Sequence, residues 1–246
     1  MSIKHLYKKF NMEIANLIPN KIGLSNNQLK ILAIITMFID HFGLQLFPQI
    51  LIFRIIGRIA LPIFAYMIAE GCFYTKNRLK YLLQLLILGL GCQIVFFFVS
   101  GSLYQGILLT FCLSIISIYA IDYFIKKKNI ISFILSFLTI SAVIFISAIL
   151  PIIIKKSGFE FDYGVIGVFL PVAIYYFKDK IIKLLVLSLF ICLLSLQFGN
   201  IMLYSFIAIP FLLLYNGKRG KYNLKYLFYL FYPLHLVVIF LLDFVI

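Results

Sequence analysis

Two apolar stretches joined by a short turn decide the fold: LKILAIITMFIDHFGLQLF at residues 29–47 and LIFRIIGRIALPIFAYMIAEGC at residues 51–72. Each is close to the roughly 20 residues that an α-helix needs to cross a bilayer. Neither alternates polar with apolar residues, so helices are favoured over barrel strands. The pair is therefore predicted to form a hairpin of two transmembrane helices, closed by the turn Phe47-Pro48-Gln49.

The composition extends this interpretation to the whole chain. Hydrophobic residues make up 64% of the 246 residues, charged residues make up 12%, and the mean hydropathy is +1.10. Soluble domains are about half apolar and about a quarter charged, so lipid is expected to surround most of this chain. We expect an all-α, polytopic transmembrane helical bundle of about nine spans, at residues 29–47, 51–72, 81–99, 103–125, 130–154, 162–177, 181–197, 200–215 and 226–246.

The basic residues predict the orientation of this bundle. If each run crosses once, all but four of the 22 Lys and Arg residues lie on one side or its margin, and the positive-inside rule makes that side cytosolic. Residues 1–28 are then a basic cytosolic N-terminal segment without a cleavable signal peptide, residues 29–246 are the transmembrane domain, and the C-terminus is external. We expect a multi-pass protein of the cytoplasmic cell membrane, in contact with lipids. The net charge of +14 is spread over short loops, so nucleic acid is not an expected partner.

Ionisable side chains inside the apolar runs are the first sign of function. Asp40 and His41 lie in the first run, Arg54 and Arg58 in the second, and His235 in the ninth. A charge near the bilayer centre costs about 2.5–3.5 kcal/mol on insertion scales, so such residues usually face the protein interior and mark a site. Their positions along the predicted helices allow all five to converge near the middle of the membrane.

The charged residues of the first hairpin allow two interpretations. Arg54 and Arg58 are four residues apart and share a helix face, while Asp40 can neutralise only one of them. Either an Asp40–Arg58 pair merely locks the hairpin, or the second guanidinium binds an anionic ligand. His41 is a candidate general base, and a buried, merely hydrogen-bonded histidine is the alternative for it and for His235.

Three blocks of sequence resemble those of the TraX family of membrane acetyltransferases. They are Leu29-Lys30 with TMFIDHFG at 36–43; RIIGRIALPIF at 54–64 with Ala69-Glu70-Gly71 and TKNR at 75–78; and YNGKRG at 215–220 with FY at 228–229, FYP at 231–233 and His235. Asp162-Tyr163-Gly164 resembles a weaker central block, and Asp162 is a candidate for the lining of an external entrance. In the stretch directly after the third run, QGILLT at residues 105–110, only Thr110 matches the pattern of the family.

The resemblance implies acyl transfer. The namesake of the family acetylates the N-terminal amine of a pilin subunit, and the family is similar to membrane acyltransferases that use cytosolic acetyl-CoA. The donor is therefore expected to be acetyl-CoA, and the acceptor a protein N-terminus or a glycan on the extracytoplasmic side. The resemblance and the residues together name His41, Asp40 and Arg58 as catalytic and Arg54, Asn216, Lys218, Arg219, Tyr232 and His235 as binding residues.

Each group then has an expected task. His41 suits deprotonation of the acceptor, and Arg54 or Arg58 suits the oxyanion of the tetrahedral intermediate. The basic, Gly-rich loop at residues 216–221 suits the phosphates of CoA, with an ordinary topogenic loop as the alternative. The sequence contains no cluster of Cys and His residues that would predict a bound metal.

Two other classes of function stay open. One is a transporter or an ion or proton pathway using the intramembrane Asp/His/Arg cluster, although the sequence has no evident internal repeat. The other is a non-enzymatic assembly protein of the cell surface.

Overall fold

The computed structural model describes residues 23–222 and 224–245, and this part of the chain consists of helices joined by short loops, without a strand. Most of the predicted cytosolic segment lies outside the described residues. The helices are α1 Asn26–Leu46, α2 Leu51–Gly57, α3 Ala60–Tyr74, α4 Arg78–Ser100, α5 Ile107–Lys127, α6 Ile130–Ile144, α7 Leu150–Ile153, α8 Gly164–Tyr175, α9 Lys180–Phe198, α10 Ala208–Leu213 and α11 Lys225–Val245. A π-helical turn, Phe145–Ile149, joins α6 to α7, and 3-10 helices occupy Lys155–Ser157 and Asn200–Ile207.

Within these residues, 7 helical segments are long and apolar enough to cross a membrane. They are Asn26–Leu46, Leu51–Tyr74, Arg78–Ser100, Ile107–Lys127, Ile130–Ile153, Lys180–Phe198 and Leu227–Phe244. The sixth and eighth predicted spans form shorter apolar helices, Gly164–Tyr175 and Asn200–Leu213. The prediction of an all-helical, multi-pass membrane protein is confirmed, whereas nine complete crossings and the orientation of the termini stay predictions.

The loops meet at two opposite ends of the bundle. At one end, the N–H of Leu24 donates to the carbonyl of Leu214 at 2.8 Å. At the other, the N–H of Gln105 donates to the carbonyl of Glu160 at 2.7 Å, and the carbonyl of Gln105 accepts from the N–H of Asp162 at 2.9 Å. The predicted orientation makes the first the cytosolic end and the second the external end, called the inner and outer ends below.

Two glycines bring α1 and α2 into close contact. A Cβ at Gly57 would overlap the Asp40 carboxylate, and a Cβ at Gly43 would overlap the side chain of Phe53. Small residues at such contacts let helix backbones approach each other in a membrane. The glycine of the RIIGR segment therefore leaves room for Asp40 against α2.

We expect Gly57→Ala to lower the thermal stability of the purified protein, because the added methyl group must displace Asp40 or separate the two helices. Overpacking of this kind typically costs about 1–3 kcal/mol. The matched control is Gly91→Ala in α4, where a Cβ meets nothing within 4 Å. Melting curves in detergent measure both variants, and equal melting temperatures would contradict this account of the α1–α2 contact.

A break at Arg58 and Ile59 divides the second predicted span into α2 and α3. Pro62 has no N–H to donate to the carbonyl four residues earlier, which belongs to Arg58. The buried hydroxyl of Ser205 donates to that carbonyl instead, at 3.0 Å. The break thus ties the second span to the 3-10 helix Asn200–Ile207.

Candidate functional site

A buried carboxylate lies between two arginines at the α1–α2 contact. Asp40 Oδ2 is 2.6 Å from Arg58 Nη2, and Asp40 Oδ1 is 2.9 Å from Arg54 Nη1. The second contact has ion-pair distance but lacks the alignment of a hydrogen bond. Asp40 thus contacts both arginines, although its single charge can neutralise only one of them. Two cations still face one anion in this cluster.

The two arginines are held differently. Arg58 Nη1 donates to the Tyr163 hydroxyl at 3.0 Å, its Nε donates to the Arg54 carbonyl at 3.3 Å, and its side chain is 6% exposed. The side chain of Arg54 is 23% exposed and lines a cavity. The more accessible guanidinium is therefore that of Arg54, and the geometry of Arg58 is that of a structural cross-link.

The two intramembrane histidines contact each other. His41 Nδ1 lies 2.9 Å from His235 Nε2, and the two rings are within 13° of parallel. His235 is 4% exposed, whereas His41 is partly exposed and lines the same cavity as Arg54. The structure thus brings the first and last predicted spans together at the level that their sequence positions indicate.

The charged groups and the histidines surround one cavity of about 470 Å³. This volume is in the usual range for sites that bind small molecules. The cavity lies in the outer half of the bundle, and its polar lining is Asp40, His41, Gln45, Arg54, Arg58, Gln93, Tyr104, Asp162, Tyr163, Tyr232 and His235. Gln93 and Tyr104 belong to no motif, so sequence reasoning had no signal with which to find them.

A second carboxylate, that of Asp162, lines the same cavity. Asp162 Oδ1 accepts a hydrogen bond from the Tyr104 hydroxyl at 2.7 Å, and its backbone carbonyl accepts one from Thr110 Oγ1 at 3.0 Å. Within the described chain, no Lys, Arg or His side chain forms an ion pair with Asp162. Asp162 therefore lines the cavity without a cationic side chain in direct contact, and its place at an external entrance stays a prediction.

The basic loop lies apart from this cavity. Asn216, Lys218 and Arg219 are exposed at the inner end, where the Lys218 carbonyl accepts from the N–H of Asn26 at 2.8 Å. The rise along α1 from there to His41 is about 22 Å. Tyr232 lies between the two levels and packs against Phe64, with ring centroids 5.7 Å apart. The structure does not bring Asn216, Lys218 and Arg219 to the other predicted site residues.

The fold and the site define a multi-pass helical membrane protein with a charged cavity, which is lined by the first, second and last spans and by residues of the helices between them. The sequence model of the TraX protein family matches residues 25–243, and the chain belongs to this family. The resemblance inferred from the three sequence blocks is thereby confirmed.

Two bacterial proteins are among those similar to this chain. The "Probable fimbrial assembly protein FimC, serogroup H1" of Dichelobacter nodosus is 27% identical over an alignment of 259 residues, gaps included, that covers 89% of this chain and 95% of that protein. An uncharacterized protein of Rickettsia prowazekii (strain Madrid E) is 44% identical over 68 residues, so the match spans 28% of this chain and only 27% of that relative. No solved structure matches.

Proposed function

We propose that this protein is an acyltransferase of the cytoplasmic membrane that moves an acetyl group from cytosolic acetyl-CoA to an acceptor amine or hydroxyl on the extracytoplasmic side. The observation that carries the proposal is the His41–His235 pair, which lies in a buried cavity beside Arg54 in a member of the TraX family. The resemblance to a pilin-acetylating namesake supports a protein N-terminus as acceptor. So does the name of the Dichelobacter relative, which describes a fimbrial assembly protein.

His41 is the general base of this reaction. Its Nδ1 is occupied by His235, so Nε2 is the nitrogen that receives the proton of the acceptor. The acceptor nitrogen or oxygen forms a bond to the thioester carbonyl carbon as that proton leaves. The C–S bond of the tetrahedral intermediate then breaks, and the departing thiolate takes the proton back from His41, which leaves free CoA and the acetylated acceptor.

Arg54 stabilises the oxyanion of the tetrahedral intermediate. Its guanidinium lines the cavity. Because the single carboxylate of Asp40 faces two guanidiniums, one positive charge stays unbalanced and is available at Arg54. N–H donors held in a dry site stabilise developing negative charge strongly because they need no reorganisation. Asp40 and Arg58 act here by fixing the position of Arg54.

The donor is proposed to bind with its nucleotide at the inner end. Lys218, Arg219 and the amide of Asn216 offer charge and hydrogen bonds to its phosphates. The thioester must then reach the level of His41, about 22 Å away along α1. In this arrangement the contact between Tyr232 and Phe64 opens to admit the pantetheine arm, because Tyr232 lines the cavity one helical turn closer to the inner end than His235.

Asp162 favours an amine over a hydroxyl as acceptor, because its carboxylate can pair with an ammonium group that enters the cavity. That group releases one proton to water, and the neutral amine then attacks the thioester. We expect Asp162→Asn to raise the KM for an amine acceptor about tenfold, the effect of losing roughly 1.4 kcal/mol of ionic hydrogen bonding, with a smaller change in kcat. Steady-state rates over a range of acceptor concentrations measure this. Glu160→Gln, an exposed change two residues away, is the matched control, and an equal effect of the two substitutions would contradict a role for Asp162.

The proposed function is tested with purified protein in lipid nanodiscs. Acetyl-CoA is mixed with a peptide bearing a free N-terminal amine, the same peptide with a blocked N-terminus, or a sugar. Release of CoA and mass spectrometry of the acceptor report the transfer. Transfer to the free amine is expected. A transport protein would be favoured instead if no acceptor were acetylated and if the protein in liposomes carried ions or solutes without any dependence on CoA.

A further inference from the structure

We propose that His235 is a positioning residue that holds His41 in the tautomer with its proton on Nδ1 and its lone pair on Nε2. The catalytic meaning of this assignment rests on the proposed function. The tautomer itself follows from two hydrogen bonds, one between the Phe231 carbonyl and His235 and one between His235 and His41.

The chain of hydrogen bonds runs in one direction. His235 Nδ1 is 3.0 Å from the carbonyl oxygen of Phe231, which can only accept, so this nitrogen must carry a proton. The other nitrogen of a neutral His235, Nε2, is then an acceptor. His41 Nδ1, at 2.9 Å, must donate to it, and His41 Nε2 is left without a proton.

Both rings are expected to be neutral in this arrangement. His235 is 4% exposed, and the guanidiniums of Arg54 and Arg58 already supply more positive charge to the cluster than Asp40 can balance. Adding a further buried cation without a partner would be costly. A neutral pair has only one arrangement of protons that satisfies both the Phe231 carbonyl and the contact between the two rings.

The ring of His235 is fixed by its surroundings. It stacks on Phe231 with centroids 5.0 Å apart and 3° between the planes, and Tyr232 meets it edge-on at 6.3 Å. A flip of the ring would exchange its nitrogens with its carbons, so that C–H groups would face both the Phe231 carbonyl and His41 Nδ1 and both hydrogen bonds would be lost. His235 therefore presents a fixed acceptor to His41, rather than a mobile acid or base.

This arrangement matters for proton transfer. A neutral imidazole with its proton on Nε2 cannot take a proton from the acceptor at that position, so the wrong tautomer is inactive. In a serine protease, loss of the group that sets the tautomer of the histidine lowers kcat about 10⁴-fold. His235 takes the place of that group here, with a backbone carbonyl behind it.

A pair of substitutions tests the assignment. His235→Gln keeps an oxygen acceptor near the position of Nε2, whereas His235→Leu keeps the bulk and removes the acceptor. Nitrogen-15 NMR of histidine-labelled protein in nanodiscs reports which nitrogen of His41 is protonated. We expect the Nδ1–H form in the native protein and in His235→Gln, and a shift toward the Nε2–H form in His235→Leu.

Activity gives a second readout. Acetyl transfer is expected to stay within about tenfold of native in His235→Gln and to fall at least about 100-fold in His235→Leu, with melting temperatures checked for both. An Nε2–H form of His41 in the native protein would overturn the inference, as would equal losses in the two variants. If the native protein transfers no acetyl group, the proposed function fails while the NMR comparison still decides the tautomer.

Discussion

Replacement of His41 by alanine is expected to lower the rate of acetyl transfer by about 10²–10⁴-fold, the usual contribution of a positioned general base. The side chain sits on the cavity wall, with its Nδ1 bonded to His235 at 2.9 Å. Alanine removes the proton acceptor but leaves Arg54 and the rest of the cavity in place. The rate of CoA release at saturating donor and acceptor measures the loss, and the KM values should change much less than kcat.

The control for this experiment is the same substitution at His5, in the predicted cytosolic segment outside the described residues. His5→Ala is expected to keep the native rate. Melting temperatures of both variants separate a loss of chemistry from a loss of folding, because His41→Ala leaves the buried Nε2 of His235 without its partner. Full turnover in a folded His41→Ala protein would exclude this residue as the base.

Replacement of Asp40 by asparagine is expected to destabilise the fold by about 3–5 kcal/mol, because it leaves the buried guanidinium of Arg58 and the partly exposed one of Arg54 without an anion. Asp40 is the shared partner of Arg54 and Arg58 at 2.9 and 2.6 Å. An asparagine has the same shape and can accept a hydrogen bond, but it cannot balance either charge. Unfolding in detergent, followed by heat or denaturant, measures the change.

Two comparisons identify the cause of this loss. Asp243→Asn makes the same change at an exposed site near the end of α11, where the new side chain can still accept the hydrogen bond that Gln45 now donates at 2.6 Å. It should be nearly neutral. The double variant Asp40→Asn, Arg54→Gln should be more stable than Asp40→Asn alone, since one unpaired cation is removed. An Asp40→Asn protein with the native unfolding midpoint would contradict the ionic account.

Class and family could be predicted from the sequence because both depend on properties that are local in the chain. A run of about 20 apolar residues must become a helix in lipid, whatever surrounds it, since its backbone groups have no other partners there. The candidate site residues could be identified for a similar reason, because a charge or an imidazole in such a run is costly and rarely accidental. They are Asp40, His41, Arg54, Arg58 and His235. No knowledge of neighbouring helices was needed for either step.

The partners of these residues depended on helix packing. The i,i+4 spacing of the arginines placed them on one face, but whether Asp40 reaches both depends on how closely α1 approaches α2, which the absence of a side chain at Gly57 permits. The break after α2 had a local cause in Pro62. The group that satisfies the freed carbonyl, Ser205, lies 147 residues away and could not be named in advance.

The sequence by itself determined the helical membrane class, the family and the set of ionisable residues worth attention. Only the tertiary structure decided that His41 meets His235, that Asp162 joins the same cavity through Tyr104, and that the basic loop lies at the other end. The physical reason is that hydropathy and charge add up along the chain. A hydrogen bond between residues 194 positions apart instead requires α1 and α11 to be placed together by the packing of all the helices around them.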